Sequence, residues 1–398
     1  MNFDMHLTTA CNMKCTFCGA WEYGEQAFFI SEGTAKECLK TARLKNYTIV
    51  TFTGGEPTIH PQFTDLLSYA AQLGFRIVVT TNGLHMTPQI LSVCARTNAL
   101  LRISMHTLNA AKHKQLTGTD SFSTVQDTVS QLQETRVMHG IGCTVTKENV
   151  SEIVALAQYA WATGGAFIRY TPVVAVRGAS DQAMETEFYI EMLTRIAKIC
   201  VKNRHLLYLG SAKIPRKASL LLSTIFTRRC AGGSSQHIIC DCHERVVACS
   251  FIPVEMNLFS DSTGNLDSDI ECTRGKMNIF LNSLSPQGKC ATCTYKDICK
   301  GGCLTTKLSL ALSPNAEQPV CIYEITGKIL QGFSVDEQVF LMEYWARGYL
   351  MRAPVREKEK NCMRHLPIWQ ISFNPMLSKE DYSFNGDIYE NTSHSDRT

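Results

Sequence analysis

Apolar and polar positions alternate at Phe3, Met5 and Leu7, the period-two mark of a strand with one buried face. Apolar runs rich in β-formers recur at 47–52, 75–80, 100–105, 141–145 and 167–170, separated by amphipathic stretches at 34–44, 63–73, 88–95, 122–136 and 150–162. Strands alternating with helices predict a parallel sheet with right-handed crossovers. The fold class is therefore α/β, and six such units predict a partial (β/α)6 barrel of the TIM type over 1–180. Loops at the C-terminal ends of the strands carry function in such barrels. A charged, helical connector follows at 181–229, then a cysteine-rich segment at 230–325 and a helical extension at 326–375. In that extension Ser334 and Glu337 form a capping box, starting a helix that carries Val339, Met342, Tyr349 and Leu350. The tail at 376–398 is rich in Ser, Asp, Asn and Glu and is expected to be disordered.

Charge changes this picture little. A net charge of +3 with no lysine or arginine block argues against nucleic acid as a partner, and the mixed run at 356–360 is a solvated face. No apolar run approaches the ~20 residues that span a bilayer. The start, MNFDMHLTT, has no secretory pattern, so a cytoplasmic location and no membrane partner are expected. Cysteine changes the picture more. Disulfides are rare where thiols stay reduced, so 18 cysteines in such a chain point to metal or redox chemistry. Cys38, Cys94, Cys143, Cys200 and Cys362 stand alone and read as small core hydrophobes. The others cluster.

Cys11, Cys15 and Cys18 fall in a C-x3-C-x2-C spacing directly after the first strand. Three thiolates on a short loop can hold a [4Fe-4S] cluster by three irons, leaving the fourth open. A zinc site or buried core thiols are the plainer readings of the same triplet. With Phe17 before the last cysteine, these residues resemble the signature of the radical S-adenosylmethionine (SAM) superfamily. The resemblance implies SAM bound to the open iron and cleaved by one electron to a 5′-deoxyadenosyl radical that abstracts hydrogen from a substrate. Gly54-Gly55-Glu56-Pro57 matches the superfamily's GGEP motif, with Glu56 expected to accept from the SAM ammonium, and Thr80-Thr81-Asn82-Gly83 is again as in the family. Ser104-Met105-His106 stands where relatives carry Ser-x-Asp. Ser104 is expected at the SAM ribose or carboxylate, and His106 as a proton carrier. Lys147, Asn149, Arg169, Tyr170 and Pro172 resemble the family's nucleotide-contacting segments.

Further on, Cys290, Cys293, Cys299 and Cys303 give C-x2-C-x5-C-x3-C, preceded by Cys230 and Cys249 and followed by Cys321. This resembles the SPASM extension of radical SAM enzymes, with Glu244 standing where that pattern has glycine. The resemblance implies two auxiliary [4Fe-4S] clusters, one on Cys230, Cys249 and Cys303, the other on Cys290, Cys293, Cys299 and Cys321. The first lacks a fourth ligand in its usual place: either an iron is open to substrate, or Cys240 or Cys242 completes it. Cys240-Asp241-Cys242-His243 supplies a ligand, a hydrogen-atom donor (Cys242) or a buried hairpin. Ser250, where sulfatase-maturing relatives carry Asp, weakens a sulfatase reading.

The implied function is modification of a peptide by cross-linking, epimerisation or oxidation, with a reductant such as ferredoxin or flavodoxin. Cys11 leaves no room for an N-terminal leader-recognition domain, so a separate leader-peptide recognition protein or the C-terminal extension is expected to serve. The alternatives are a small-molecule dehydrogenase, epimerase or decarboxylase acting on a sugar, aminocyclitol or tetrapyrrole, and a non-catalytic metal-binding scaffold.

Overall fold

The structure is a computed structural model. It describes residues 1–18, 27–135, 137–173, 185–203, 237–252, 254–261, 263, 265–294, 296–347 and 370–372. Cys230, Tyr349, Leu350, Cys362 and the expected disordered tail lie outside these residues. One ten-stranded sheet runs β10-β6-β5-β4-β3-β2-β1-β7-β8-β9. Its heart is six strands, each parallel to the next: β1 (Asn2–His6), β2 (Ile49–Thr53), β3 (Arg76–Thr81), β4 (Leu100–Ser104), β5 (His139–Val145) and β6 (Phe167–Pro172). Helices α1 (Glu32–Leu44), α2 (Phe63–Gln72), α3 (Pro88–Arg96), α4 (Ala110–Thr117), α5 (Phe122–Glu134) and α6 (Ile153–Ala162) lie between the strands. The predicted α/β alternation is what is found, and β1 and β6 do not pair with each other, so the barrel stays open.

The alternation in β1 shows how the layers form. Phe3, Met5 and Leu7 are fully buried, while Asn2, Asp4 and His6 between them turn to the opposite face. The buried set joins one continuous core with Leu39 of α1, Leu66 of α2 and Val129 of α5. The opposite face, the barrel lumen, is polar: Asp4 registers with Thr51, and Thr80 with Arg102.

Two features differ from expectation. Residues 237–260, read as part of the cysteine-rich segment, extend the barrel sheet. Here β7 (His237–Cys240) pairs parallel to β1, and β8 (Val246–Val247) and β9 (Phe259–Ser260) continue antiparallel. At the other edge β10 (Gln370–Ser372) pairs antiparallel with β6, so the C-terminal extension contributes a strand as well as helices. Both additions cover a parallel edge whose backbone would otherwise be unpaired. The predicted connector supplies α7 (Thr186–Lys202), on which α6, α11 (Ile322–Leu330) and α12 (Val335–Arg347) pack. The capping box forms: Ser334 N donates to Glu337 Oε2 at 2.8 Å, and Glu337 N to Ser334 Oγ at 3.4 Å.

Candidate active site

The cysteine loop is built from both of its ends. At its base, Thr9 N donates to Phe28 O (3.0 Å) and Thr8 Oγ1 to the same carbonyl (2.7 Å). On one flank the loop after β2 lies against it: Gly55 N donates to Thr8 O at 2.6 Å and Glu56 N to Ala10 O at 2.8 Å. A Cβ on Gly55 would stand 2.1 Å from Ala10 O, so only glycine permits this docking. The glycine pair, expected to admit a ligand, thus admits the chain's own residues 8–10. On the other flank Lys14 N and Thr16 N donate to Thr117 O (2.8 Å) and Leu116 O (2.9 Å) at the end of α4. Met13 plugs the loop into the core at 2% exposure.

Cys11 is exposed, and Cys15 and Cys18 are half-buried. Burial, then the charges of Cys18 and Cys11, push the Cys15 thiol up to about 12. Burial also raises Cys11, with the charges of Glu56 and Cys18 adding to it against the Met13 backbone hydrogen bond. The three sulfurs therefore share one electrostatic neighbourhood. Asn82 leans on them, its Nδ2 donating to Asn12 Oδ1 at 2.6 Å and contacting Cys11 Sγ at 3.8 Å.

Glu56 sits beneath this loop, 1% exposed, with both oxygens occupied. Oε1 accepts from Thr58 N (3.1 Å), Thr58 Oγ1 (2.6 Å) and Thr81 Oγ1 (2.6 Å), and Oε2 from Asn82 N (2.7 Å). Burial raises its carboxyl and these donors work against the rise. The expected ammonium acceptor is in this geometry the knot joining the ends of β2 and β3. Pro57 opens the short 3-10 turn that Glu56 caps.

His106 also departs from expectation. It is 5% exposed, and its Nδ1 accepts from Thr144 N at 3.0 Å. Its ring meets Phe17 edge-on at 4.7 Å. Burial, helped by His113, pushes its pKa down to about 3, which favours the neutral ring near neutral pH. It seats Phe17 and pins β4 to β5. Asn149, expected at the nucleotide, is 1% exposed, and its amide bonds Thr146 N, His106 O and Thr144 O. It holds the ends of the same two strands. Ser104 and Arg169 lie at inward-facing, half-buried strand positions, and Arg169 Nε has no hydrogen-bond partner among the described residues. None of these burials is visible in a sequence motif.

Around Cys240 the structure favours the hairpin. Cys240 is 1% exposed and faces Cys38 of α1, sulfur to sulfur 3.7 Å, on the helix side of the sheet. Asp241 accepts from His243 N and Arg245 N, closing the turn. Cys242 is 9% exposed, and burial with Asp241's charge pushes its thiol up to about 12. Glu244, where the SPASM pattern has glycine, adopts φ 63°, and its Oε1 accepts from Thr34 Oγ1 at 2.9 Å.

Beyond α8 (Leu266–Ser283) the second cysteine group gathers. Burial raises the Cys299 thiol, and the charges of Cys290, Cys321 and Cys293 raise it further. Lys300, Gly301 and Gly302 turn left-handed at φ 54°, 78° and 90° to carry the chain from Cys299 to Cys303. Burial, with the charge of Cys303 adding to it, pushes the Tyr189 phenol on α7 up to about 12. Among the described residues no three Cys, His, Asp or Glu side chains close to the spacing of a single-ion site. No described helix is long and apolar enough to cross a membrane.

A cysteine triplet at the mouth of an open parallel barrel, clamped by a GGEP loop, defines a class. Residues 5–160 match the Radical SAM superfamily. That superfamily implies SAM and a [4Fe-4S] cluster. Among curated relatives, the chain is 25% identical over 342 residues to the mycofactocin maturase MftC of Mycobacterium tuberculosis, spanning 79% of this chain and 81% of that protein. It is equally 25% identical, over 343 residues, to the AdoMet-dependent heme synthase of Oleidesulfovibrio alaskensis, covering 80% and 86%. Its fold is similar to that of Streptococcus suis SuiB bound to S-adenosylmethionine (TM-score 0.65, 14% identity, 81% of this chain and 76% of SuiB). SuiB bound to its precursor peptide SuiA superposes at TM-score 0.62, 15% identity, covering 80% of this chain and 74% of SuiB.

Proposed function

We propose that this enzyme modifies a peptide, and that it carries two auxiliary clusters besides the one at the barrel mouth. The observation that supports the auxiliary part is that Cys299 senses the charges of Cys290, Cys321 and Cys293, with Cys290, Cys293 and Cys299 in a C-x2-C-x5-C spacing and Cys321 after it. Cys11, Cys15 and Cys18 are the ligands at the mouth. Their fit rests on a shared neighbourhood, on exposure at Cys11 and on a loop fixed on both flanks. When bound there, the cluster and SAM supply a 5′-deoxyadenosyl radical that takes hydrogen from the substrate. The chain's own part is to hold the loop rigid through Gly55 and Glu56, to seat Phe17 on His106, and to place Thr81, Asn82 and Ser104 at the ends of β3 and β4 with Arg169 within β6. Cys242 remains a protonated thiol, the form a hydrogen-atom donor needs. The peptide reading draws on similarity to a maturase and to the SuiB fold, whose bound precursor peptide shows what that neighbour accepts.

A second reading has its own support. Arg102 and Arg169 both face the barrel lumen with Asp4 the acid their charges sense, which suits a carboxylate-bearing small molecule such as a tetrapyrrole. Similarity to a heme synthase points the same way. Anaerobic reconstitution tests the whole: about twelve irons and sulfides per chain and reductant-dependent 5′-deoxyadenosine are expected. Zinc in their place, with no SAM cleavage, would mean a scaffold. A mass change in a precursor peptide, read by mass spectrometry against the same assay with a tetrapyrrole carboxylate, separates the two substrate classes.

A further inference from the structure

On its lumen face β5 carries no side chain at Gly140 or Gly142, and the neighbouring strands fill the gap. A Cβ on Gly142 would stand 3.0 Å from Arg102 Cγ and 3.2 Å from Arg102 Cδ, so the stem of Arg102 on β4 leans across β5 at that glycine. Arg169 on β6 registers with the same Gly142, which registers in turn with Ser104, the last residue of β4. The two arginines thus flank one bare position, level with the end of β4. Two residues nearer the start of β6, Phe167 closes the space. It is 2% exposed, its Cδ1 2.6 Å from where a Gly140 Cβ would be.

Neither guanidinium is neutralised by the chain. Both are half-buried, and among the described residues neither forms an ion pair with a carboxylate. Arg102 Nη2 donates to Thr80 Oγ1, while Arg169 Nε is shut off from solvent and makes no hydrogen bond among the described residues. Asp4 is the acid whose charge both sense, yet its oxygens are taken: Oδ1 accepts from Asn2 Nδ2 at 2.6 Å, and Oδ2 lies 3.0 Å from His237 Nε2. Burial pushes Arg102 down to about 9, and the charge of Arg169 adds to it against Asp4. Charges withdrawn from water are kept where an opposite charge meets them. The planar fork of arginine fits a carboxylate by two parallel hydrogen bonds.

We propose that Arg102 and Arg169 form a carboxylate subsite in the barrel lumen, which takes an acidic group of the substrate and fixes how deeply it enters. This rests on the reading that the lumen holds substrate, and it applies whether the acid belongs to a peptide side chain or to a small molecule. Gly142 is the clearance that lets both arginines share one ligand.

Thermal unfolding of the anaerobically reconstituted enzyme tests it, with glutarate standing for a small-molecule acid and N-acetylglutamate amide for an acidic peptide residue. Glutaramide and N-acetylglutamine amide, at the same concentration and ionic strength, are their uncharged counterparts. In wild type at least one acid is expected to raise the unfolding midpoint by a few degrees, with or without SAM, and its amide to leave it unmoved. The acid with the larger shift identifies the source. Arg102→Gln and Arg169→Gln are each expected to lose the shift, read against the variant's own midpoint. Equal shifts from acid and amide, or none from either acid, would overturn the proposal on wild type alone. So would a full shift in either variant, which would put the anion elsewhere, or a shift that SAM abolishes, which would give the arginines to the cofactor. If neither a precursor peptide nor a tetrapyrrole carboxylate is turned over while the shift persists, the functional reading falls and the subsite stands.

Discussion

Gly55 carries a constraint that outlasts any ligand. With Ala10 O 2.1 Å from where its Cβ would be, Gly55→Ala must push the GGEP loop off residues 8–10. The mouth site is expected to lose its iron while the four-cysteine group keeps its own. Iron per chain should fall by about a third, read by colorimetric assay beside an unchanged auxiliary EPR signal. A variant with full iron content would show that the docking does not hold the loop. The thiols add a pH dependence. Because Cys15 and Cys11 are raised, each must release a proton on ligation, so iron uptake at the mouth weakens as pH falls. Reconstitution at about pH 6.5 should fill this site less than at about pH 8.5, and equal filling would contradict it. At this scale the sequence names the residues well and their environments poorly. The C-x3-C-x2-C spacing and GGEP are local and survive as text, whereas the burial that neutralises His106 and occupies Glu56 comes from other strands.

Elements whose pattern repeats over several residues were readable, and short ones were not. The period-two run of β1 and the capping box of α12 are both complete within their own segments. By contrast β7 has four residues and β10 three, too few for a period, and both are strands only because an edge awaits them. Glu244 links the two cases. Its position needs a left-handed backbone, which explains why the pattern has glycine there; in this chain glutamate bears the strain at φ 63° and recovers a hydrogen bond to Thr34. Left-handed strain for a non-glycine residue is about 1 kcal/mol, comparable to one net hydrogen bond. Glu244→Gly is therefore expected to change stability by less than about 1 kcal/mol in chemical denaturation, where Glu244→Val, β-branched and unbonded, should cost about 2 kcal/mol. Equal losses for both would mean the Thr34 bond, not the backbone, governs this turn.

The whole barrel is organised around a polar lumen whose charges come from distant parts of the chain: Asp4 on β1, Arg102 on β4, Arg169 on β6 and His237 on β7. His237 Nε2 lies 3.0 Å from Asp4 Oδ2 across the β1–β7 pairing. Burial, the largest single influence on each, raises Asp4 and lowers His237, but their mutual charge and hydrogen bond, with Thr51 and His6 adding at Asp4, together outweigh it, so Asp4 is held well below the usual carboxylate range and His237 above its ordinary value. Their pH signatures differ in direction. The elevated His237 stabilises fully below its unfolded value of about 6.5, and that contribution is lost as pH rises through the folded value. The depressed Asp4 stabilises above about 3.9 and loses its contribution only in strong acid. From weakly acidic to weakly alkaline pH, then, the pair's contribution declines on the alkaline side alone. Asp4→Asn removes the charge that raises His237 and leaves Arg102 and Arg169 without their acid. It is expected to lower stability at every pH, by roughly 2 kcal/mol once the penalty for breaking a buried pair is discounted for water in the lumen. It should also abolish the decline between about pH 6 and 8.5 in urea titrations of the metal-free protein. A variant that keeps the wild-type slope would assign that slope to other groups and leave the lumen charges as separate, uncoupled residues.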